Sequence, residues 1–206
     1  MTQELYTVVS IATLAVISPG SDFAIVTKNT IVGGRSSGYS SALGIALSTW
    51  IHTLYCIVGV ALILSQSPIL FNIIKIIGVC YLLYIGITTF LSKFESSPDG
   101  HMLNNKQQVI NSFKQGFLSN VTNPKTTLFY LSLFSMVINK NTGLSMQLMY
   151  GLVICLLHLV WFCLISYLIS HPNIKHKFDR NVNTVNKIVG VLLVLIALKI
   201  IMTVSF

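Results

Sequence analysis

Charged side chains are scarce in this chain. Lys, Arg, Asp and Glu make up 9% of its 206 residues, and only five residues are acidic. Because soluble domains carry about 25% charged residues, the composition excludes a soluble globular protein and predicts an integral membrane protein. No polar stretch is long enough for a sizeable soluble domain, since the longest runs from about residue 93 to residue 114.

Cysteine is also rare, and its spacing argues against several kinds of chemistry. The four cysteines lie in apolar runs and form no C-x-x-C pair, which argues against disulfides and thiol exchange. Cys155 and His158 share a helical face, but a structural zinc needs four ligands, so we predict no metal and no cofactor. The segment GGRSSG lacks the G-x-x-x-x-G-K-[ST] phosphate loop, which argues against ATP-driven transport by this chain.

Six apolar segments dominate what is present. Each has about 20 residues or more, enough at 1.5 Å per residue to cross a hydrocarbon core of about 30 Å. The predicted spans are Leu5–Thr27, Tyr39–Leu64, Ile69–Leu91, Gln115–Ile138, Ser145–Ser170 and Val185–Val204. The opening residues carry no base, so we expect the first span to be retained rather than cleaved as a signal peptide. An all-α protein with six transmembrane helices is predicted.

The net charge of +8 reflects where basic residues lie between the spans. Nine fall in connections 1–2, 3–4 and 5–6, namely Lys28, Arg35, Lys93, Lys106, Lys114, Lys175, Lys177, Arg180 and Lys187. The opposite side holds only Lys140, so the positive-inside rule places both termini on the non-cytoplasmic side of the membrane. No polar stretch interleaves basic and aromatic residues, and no nucleic-acid partner is predicted.

The two halves of the chain resemble each other. Pro19 and Pro124 are 105 residues apart, Arg35 and Lys140 are also 105 apart, and His52 and His158 are 106 apart. Three spans per half is an odd number, so the halves would be inverted relative to each other, as in many secondary transporters. We predict one transmembrane domain over 1–206, with repeats at about 1–92 and 112–206 and a cytoplasmic linker at about 93–111.

Helices 1 and 4 are predicted to be interrupted at Pro19 and Pro124, because proline removes a helical hydrogen bond. Each break lies close to the membrane midplane, and each has an ionisable neighbour, Asp22 or Lys125. Charges inside a membrane usually mark a pathway or a site, and this pair suits a zwitterion. The candidate substrate-binding residues are Ser18, Pro19, Gly20, Ser21, Asp22, Asn120, Asn123, Pro124 and Lys125.

Two alternatives stay open for these residues. Asp22 is a good helix N-cap, and Asp22 with Lys125 would also make a purely structural ion pair. For proton coupling the candidates are Asp22 and His52, since imidazole titrates near neutral pH. A helical histidine such as His52 or His158 is more often a packed, hydrogen-bonded residue.

At these positions the chain resembles the LysE/RhtB family of amino-acid exporters, which includes lysine exporters and threonine/homoserine efflux proteins. The resemblance rests on SPGSDFAIVTKNTIVGGRSSGYSSALGIALSTWIH, IKIIGVCYLLYIGI and FKQGFLSNVTNPKTTLFYLSLF. The matched motif residues are Pro19, Gly20 and Asp22; Gly34, Arg35 and Gly38; Gly44 and His52; Gly78, Tyr81 and Leu82; Gly116 and Phe117; and Asn123, Pro124 and Lys125. Ser21 departs from the pattern, because the family usually has a second proline there.

The resemblance implies proton-driven efflux of small amino acids of the threonine/homoserine or lysine type across the bacterial inner membrane, without enzymatic activity. The partners would be the amino acid, protons and lipid, and stripes of small residues permit a homodimer. One rival is a transmembrane thiol or electron carrier, which needs cysteines beside the breaks. The others are an intramembrane serine–histidine enzyme and a structural membrane subunit without transport.

Overall fold

The computed structural model describes residues 2–18, 20–66, 68–91, 105–139, 142–171, 181, 183–184 and 187–198. Within these ranges the chain is helical and has no strand, as predicted. The helices are α1 Thr2–Ile17, α2 Ser21–Gln66, α3 Pro68–Leu91, α4 Asn105–Val121, α5 Pro124–Val137, α6 Leu144–Ile169 and α7 Lys187–Leu198. Pro19, the linker residues 93–104, Lys140 and both ends of the predicted span Val185–Val204 lie outside the described residues.

Two helical stretches are long and apolar enough to cross a membrane by themselves, Ser21–Gly59 and Leu144–Ile169. Shorter apolar helical stretches in the described part of the chain are Gln3–Ile17, Leu82–Leu91 and Lys187–Leu198. Large apolar side chains point outward from several helices, and Tyr84, Val160 and Leu195 are each more than half exposed. Such a surface is suited to lipid rather than to water.

The first predicted span, Leu5–Thr27, is divided between α1 and the beginning of α2. The α1 helix ends at Ile17, and α2 begins at Ser21 with Asp22 in its first turn. The backbone amide of Ala24 donates to the Gly20 carbonyl at 3.0 Å, which starts the new helix. The described residues between the two helices, Ser18 and Gly20, therefore lie outside both of them.

The second break divides the predicted span Gln115–Ile138 into α4 and α5. Pro124 is the first residue of α5, where its missing N–H costs no hydrogen bond. Asn123 caps this helix, because its side-chain oxygen accepts from the Lys125 amide at 3.0 Å. The α4 helix begins at Asn105, so residues 105–111 of the predicted linker are helical.

The connection predicted between the first two spans is not an extended loop. Residues 28–38 continue α2, and only Gly34 leaves helical geometry, with φ 71° and ψ −174°. This conformation is accessible almost only to glycine. One residue is enough to redirect the chain, which is why no loop is needed between residues 21–33 and 35–66.

The α2 and α4 helices pack unusually close together. A Cβ atom added to Gly44 would lie 2.3 Å from the Phe113 carbonyl oxygen, and one added to Gly116 would lie 2.3 Å from the Ser41 carbonyl oxygen. Small residues allow such backbone approach between membrane helices. Because this contact positions α4, it also positions the turn at residues 119–123 against the first break.

The core has two apolar clusters. The larger joins α1, α3, α5, α6 and α7 around the buried side chains Leu82, Tyr130, Phe134, Tyr150 and Leu193. The smaller joins the end of α1, α2 and α6 around Phe23, Ile45 and Phe162. The polar residues of the two helix breaks lie among these apolar side chains.

Candidate functional site

A cavity with about 440 Å³ of empty space, including the part that opens outward, lies between the two helix breaks. Its polar lining residues are Ser18, Gly20, Asp22, Asn123, Lys125, Thr126 and His158. Its apolar lining residues are Ala15, Val16, Phe23, Ile85, Phe129 and Phe162. One carboxylate and one amine therefore line the same cavity.

The Asp22 carboxylate is 7% exposed and accepts three hydrogen bonds from the second break. Ser119 Oγ donates to Oδ1 at 3.0 Å, and Asn120 Nδ2 donates to Oδ2 at 2.7 Å. Asn123 Nδ2 approaches Oδ2 at 3.4 Å. A buried charge needs such partners, and all three lie about 100 residues away in the chain.

The Lys125 ammonium makes the reciprocal contact to the first break. Its Nζ donates to Ser18 Oγ at 2.7 Å and approaches the Ser18 carbonyl oxygen at 3.4 Å. The Ser18 hydroxyl also contacts Thr89 Oγ1 on α3 at 2.8 Å. Each break thus holds the ionisable residue of the other, and α3 supports the contact.

Asn120 and His52 lie next to the cavity rather than on its surface. Asn120 is fully buried, and its Oδ1 accepts from Ser48 Oγ at 2.7 Å. Its backbone carbonyl accepts from Asn123 N at 3.1 Å and contacts His52 Nε2 at 3.1 Å. Neither residue is among those that line the cavity.

Two helices begin at the cavity. Gly20 immediately precedes α2, and Asn123, Lys125 and Thr126 form the start of α5. The first N–H groups of a helix lack intrahelical acceptors, and the helix dipole places partial positive charge there. Gly20 lies beside Lys125, because a Cβ added to it would be 3.7 Å from Lys125 Nζ. An anionic group beside Gly20 would therefore meet both a helix N-terminus and the Lys125 ammonium.

Most of the predicted site residues meet here. Ser18, Gly20, Asp22, Asn123 and Lys125 line the cavity together. Asn120 holds Asp22 from behind, Pro124 begins α5, and Ser21 is exposed as the first residue of α2. Pro19 is outside the described residues.

Several contributors were not predicted from the sequence as parts of the site. Ser119 and Thr89 bind the predicted residues, and Thr126, Phe23, Phe129 and Phe162 line the cavity. Ser119 and Thr126 lie within four residues of the N-P-K motif, and this proximity was the sequence signal that could have assigned them to the site. Among the described residues, no group of three or more His, Cys, Asp or Glu side chains is placed to bind a metal.

The arrangement can bind a small zwitterion that carries an apolar group. Lys125 and the helix N-termini favour a carboxylate, the Asp22 carboxylate favours an ammonium, and three phenylalanines supply apolar surface.

Several known membrane and efflux proteins are similar to this chain over most of its length. The chain is 33% identical over 194 residues to the uncharacterized membrane protein YrhP of Bacillus subtilis, covering 90% of this chain and 92% of that protein. It is 26% identical over 202 residues to the uncharacterized membrane protein YahN of Escherichia coli, covering 96% and 88%. It is 32% identical over 170 residues to the leucine efflux protein of Salmonella typhimurium, covering 77% and 74%.

No solved structure matches the chain. The profile of the LysE type translocator family matches residues 13–203, which include both helix breaks and the cavity between them. This chain belongs to the LysE type translocator family.

Proposed function

We propose that this protein is a proton-coupled secondary exporter of small amino acids with apolar side chains. The observation that carries the proposal is the cavity between the two helix breaks, which Asp22 and Lys125 both line. Discontinuous helices that meet at a substrate site are typical of secondary transporters. The family is one of translocators rather than enzymes, and this agrees with the prediction of no enzymatic activity.

The charged groups suggest how the substrate is oriented. Its carboxylate would lie toward Lys125 Nζ and the start of α2 at Gly20. Its ammonium would lie toward the Asp22 carboxylate. Charge-assisted hydrogen bonds are about twice as strong as neutral ones, so each end of a zwitterion gains from this orientation and loses if the molecule is reversed.

The apolar lining supports a substrate of the leucine type. Phe23, Ile85, Phe129 and Phe162 are among the residues that line the cavity, so a substrate there meets apolar side chains as well as charges. A lysine substrate would bring a second ammonium, and Asp22 is the one carboxylate among the described residues that line the cavity. The leucine efflux protein that matches this chain points in the same direction. Of the types predicted from the sequence, neither threonine nor lysine fits this surface as well.

The proposed architecture is two inverted three-helix repeats with interrupted helices, six transmembrane helices in total. Nine basic residues in the connections predicted to face the cytoplasm support a bacterial inner-membrane protein with both termini outside. Transport would proceed by alternating access, with proton uptake from outside exchanged for amino-acid efflux. Small-residue stripes permit a homodimer as well as packing within one chain.

The test is transport by purified full-length protein in proteoliposomes. Exchange of labelled leucine for internal leucine is expected in the wild type, and an imposed proton gradient is expected to drive net movement against the leucine gradient. Lysine is expected to compete poorly. Absence of exchange for every amino acid tested would reject the exporter proposal, and equal exchange of leucine and lysine would reject the apolar preference.

A structural membrane subunit is the rival that this assay must exclude. The matched pair of variants is Asp22→Asn, at the cavity, and Lys28→Met, an exposed position six residues further along α2. The exporter proposal expects exchange to fall about tenfold or more in the first and to be kept in the second, with both proteins inserted to the same level. Exchange in the Asp22 variant at the wild-type rate would contradict the proposal.

A further inference from the structure

His158 is a cavity-lining histidine whose two ring nitrogens have different surroundings. It lies on α6, is 5% exposed, and contacts the Ile154 carbonyl oxygen through Nδ1 at 2.8 Å. A carbonyl oxygen only accepts, so Nδ1 carries a hydrogen and the neutral ring has its lone pair on Nε2. Over the described ranges, Nε2 has no hydrogen-bond partner. Because Nδ1 is held by a carbonyl of its own helix, Nε2 on the far edge of the ring is the nitrogen available to the cavity that His158 lines.

His52 offers an instructive contrast. Its Nε2 contacts the Asn120 carbonyl oxygen at 3.1 Å, and its Nδ1 contacts the Tyr55 hydroxyl at 2.6 Å. Both nitrogens are therefore occupied, the side chain is fully buried, and His52 is not among the residues that line the cavity. The two histidines, 106 residues apart, occupy different chemical environments.

The ionisable groups near His158 are few in the described part of the chain. The α6 helix packs against α1 and α2. From α2, Asp22 and His52 face it, and Lys125 of α5 lines the same cavity. The ionisable residues of α1, Glu4 and Tyr6, lie at the opposite end of that helix from the cavity. On α6, the thiol of Cys155 is one turn away.

The Nε2 lone pair of His158 can bind either the ammonium group of a zwitterion or a proton. A neutral imidazole accepts a hydrogen bond from an ammonium group, whereas a protonated imidazole has no lone pair and repels the ammonium. Imidazole changes charge between about pH 5 and pH 8. Mutual exclusion of two ligands at one position is a negative coupling of their affinities, and it acts equally in both directions.

We propose that Nε2 of His158 binds either the ammonium group of the amino acid or a proton, and that this exclusion couples efflux to proton entry. The inference rests on the proposed exporter function. In the outward-facing state a proton displaces the ammonium and releases the amino acid. In the inward-facing state loss of that proton frees Nε2 for the next substrate, so one proton enters for each amino acid that leaves.

The first test measures leucine binding to the purified full-length protein in lipid nanodiscs between pH 5.5 and pH 7.5, by calorimetry. Wild-type apparent Kd is expected to rise with acidification, approaching about tenfold per pH unit once His158 is protonated. His158→Asn keeps an N–H for the Ile154 carbonyl but loses the titrating acceptor. Its Kd is expected to be about tenfold weaker at pH 7.5 and independent of pH.

Two further variants keep the test decisive. His158→Gln supplies a non-titrating oxygen near the Nε2 position, so leucine binding at pH 7.5 is expected to recover while the pH dependence stays absent. His52→Gln is the matched control and is expected to keep the wild-type pH dependence. A His158 variant that retains that dependence, or loss of it in the His52 variant, would overturn the proposal.

A ligand without an ammonium group provides an independent check. At pH 7.5, 4-methylpentanoate has the carboxylate and the apolar chain of leucine but no ammonium, so His158→Asn is expected to leave its Kd unchanged. Equal weakening of both ligands would overturn the role of Nε2 while leaving the exporter proposal intact. Failure of wild-type protein to bind any amino acid would instead overturn the exporter proposal and this inference with it.

Discussion

The side chain of Asn120 joins the two halves of the site, because its Nδ2 donates to Asp22 Oδ2 at 2.7 Å while its Oδ1 accepts from Ser48 Oγ at 2.7 Å. All three residues are buried. Asn120 therefore fixes the carboxylate of the first break from the last turn of α4. The geometry of Asp22 depends on both breaks at once, and perturbing either is expected to affect transport.

Replacing Asp22 with Asn is expected to reduce leucine exchange about tenfold or more, because hydrogen bonds to a charged group contribute about 1.5–3 kcal/mol. The amide of the variant also replaces one acceptor oxygen with an NH₂ group, which cannot accept the hydrogen bonds that Ser119, Asn120 and Asn123 donate. Initial exchange rates in proteoliposomes, normalised to inserted protein, measure the effect. Ser119→Ala removes one donor and keeps the charge, so its rate is expected to lie between those of the wild type and the Asp22 variant.

Replacing Lys125 with Met is expected to raise the apparent Kd for leucine by about tenfold to hundredfold, since the substrate carboxylate loses its cationic partner. Calorimetry at neutral pH, with leucine amide as a second ligand, checks this expectation. The amide has no carboxylate, so the variant and the wild type are expected to bind it with similar affinity. A Kd for leucine unchanged by the substitution would remove Lys125 from substrate recognition.

The close contact of α2 and α4 predicts a position-specific cost for added methyl groups. Gly44→Ala and Gly116→Ala each place a Cβ against a backbone oxygen that cannot rotate away, and overpacking of this kind costs about 1–3 kcal/mol. Gly59→Ala, also on α2, meets nothing within 4 Å and is the control. Thermal unfolding midpoints in one detergent are expected to fall for the first two variants only.

Gly34 predicts a cost of a different origin. No atom lies within 4 Å of an added Cβ there, so packing does not oppose a side chain, but φ is 71°. Gly34→Ala is expected to lower stability by about 1–3 kcal/mol through backbone strain. Gly143→Ala, where φ is −62° and the added Cβ makes only ordinary contact, is expected to be neutral. Comparable unfolding midpoints for the two variants would exclude a strain effect.

The sequence predicted the interrupted helices well because proline and buried charge are strong local signals. Both breaks occur where Pro19 and Pro124 indicated, and Asp22 and Lys125 line one cavity. The membrane-transporter class is confirmed by the family match. The inverted repeat, the orientation of the termini and the proton-coupling residues stay predictions.

Other features could not be predicted, because the hydrophobic pattern of a uniformly apolar helix does not show which side chains face inward. The α6 helix is hydrophobic on every side, so nothing in its pattern shows that His158 and Phe162 face the cavity. The long α2 was divided into two spans because basic and small residues around Arg35 resemble a loop. Helical geometry persists there because only Gly34 needs to depart from it.

Because α2 is kinked at Gly34, a small rotation at that residue would move the beginning of the helix by a larger distance. Asp22 lies 12 residues from that glycine, a lever arm of about 18 Å at 1.5 Å per residue. A rotation of about 10° at Gly34 would displace the Asp22 backbone by about 3 Å over this length. That displacement is larger than the range over which a hydrogen bond forms. A small rotation at Gly34, far from the cavity, would therefore break the hydrogen bonds from Ser119, Asn120 and Asn123 to the Asp22 carboxylate together.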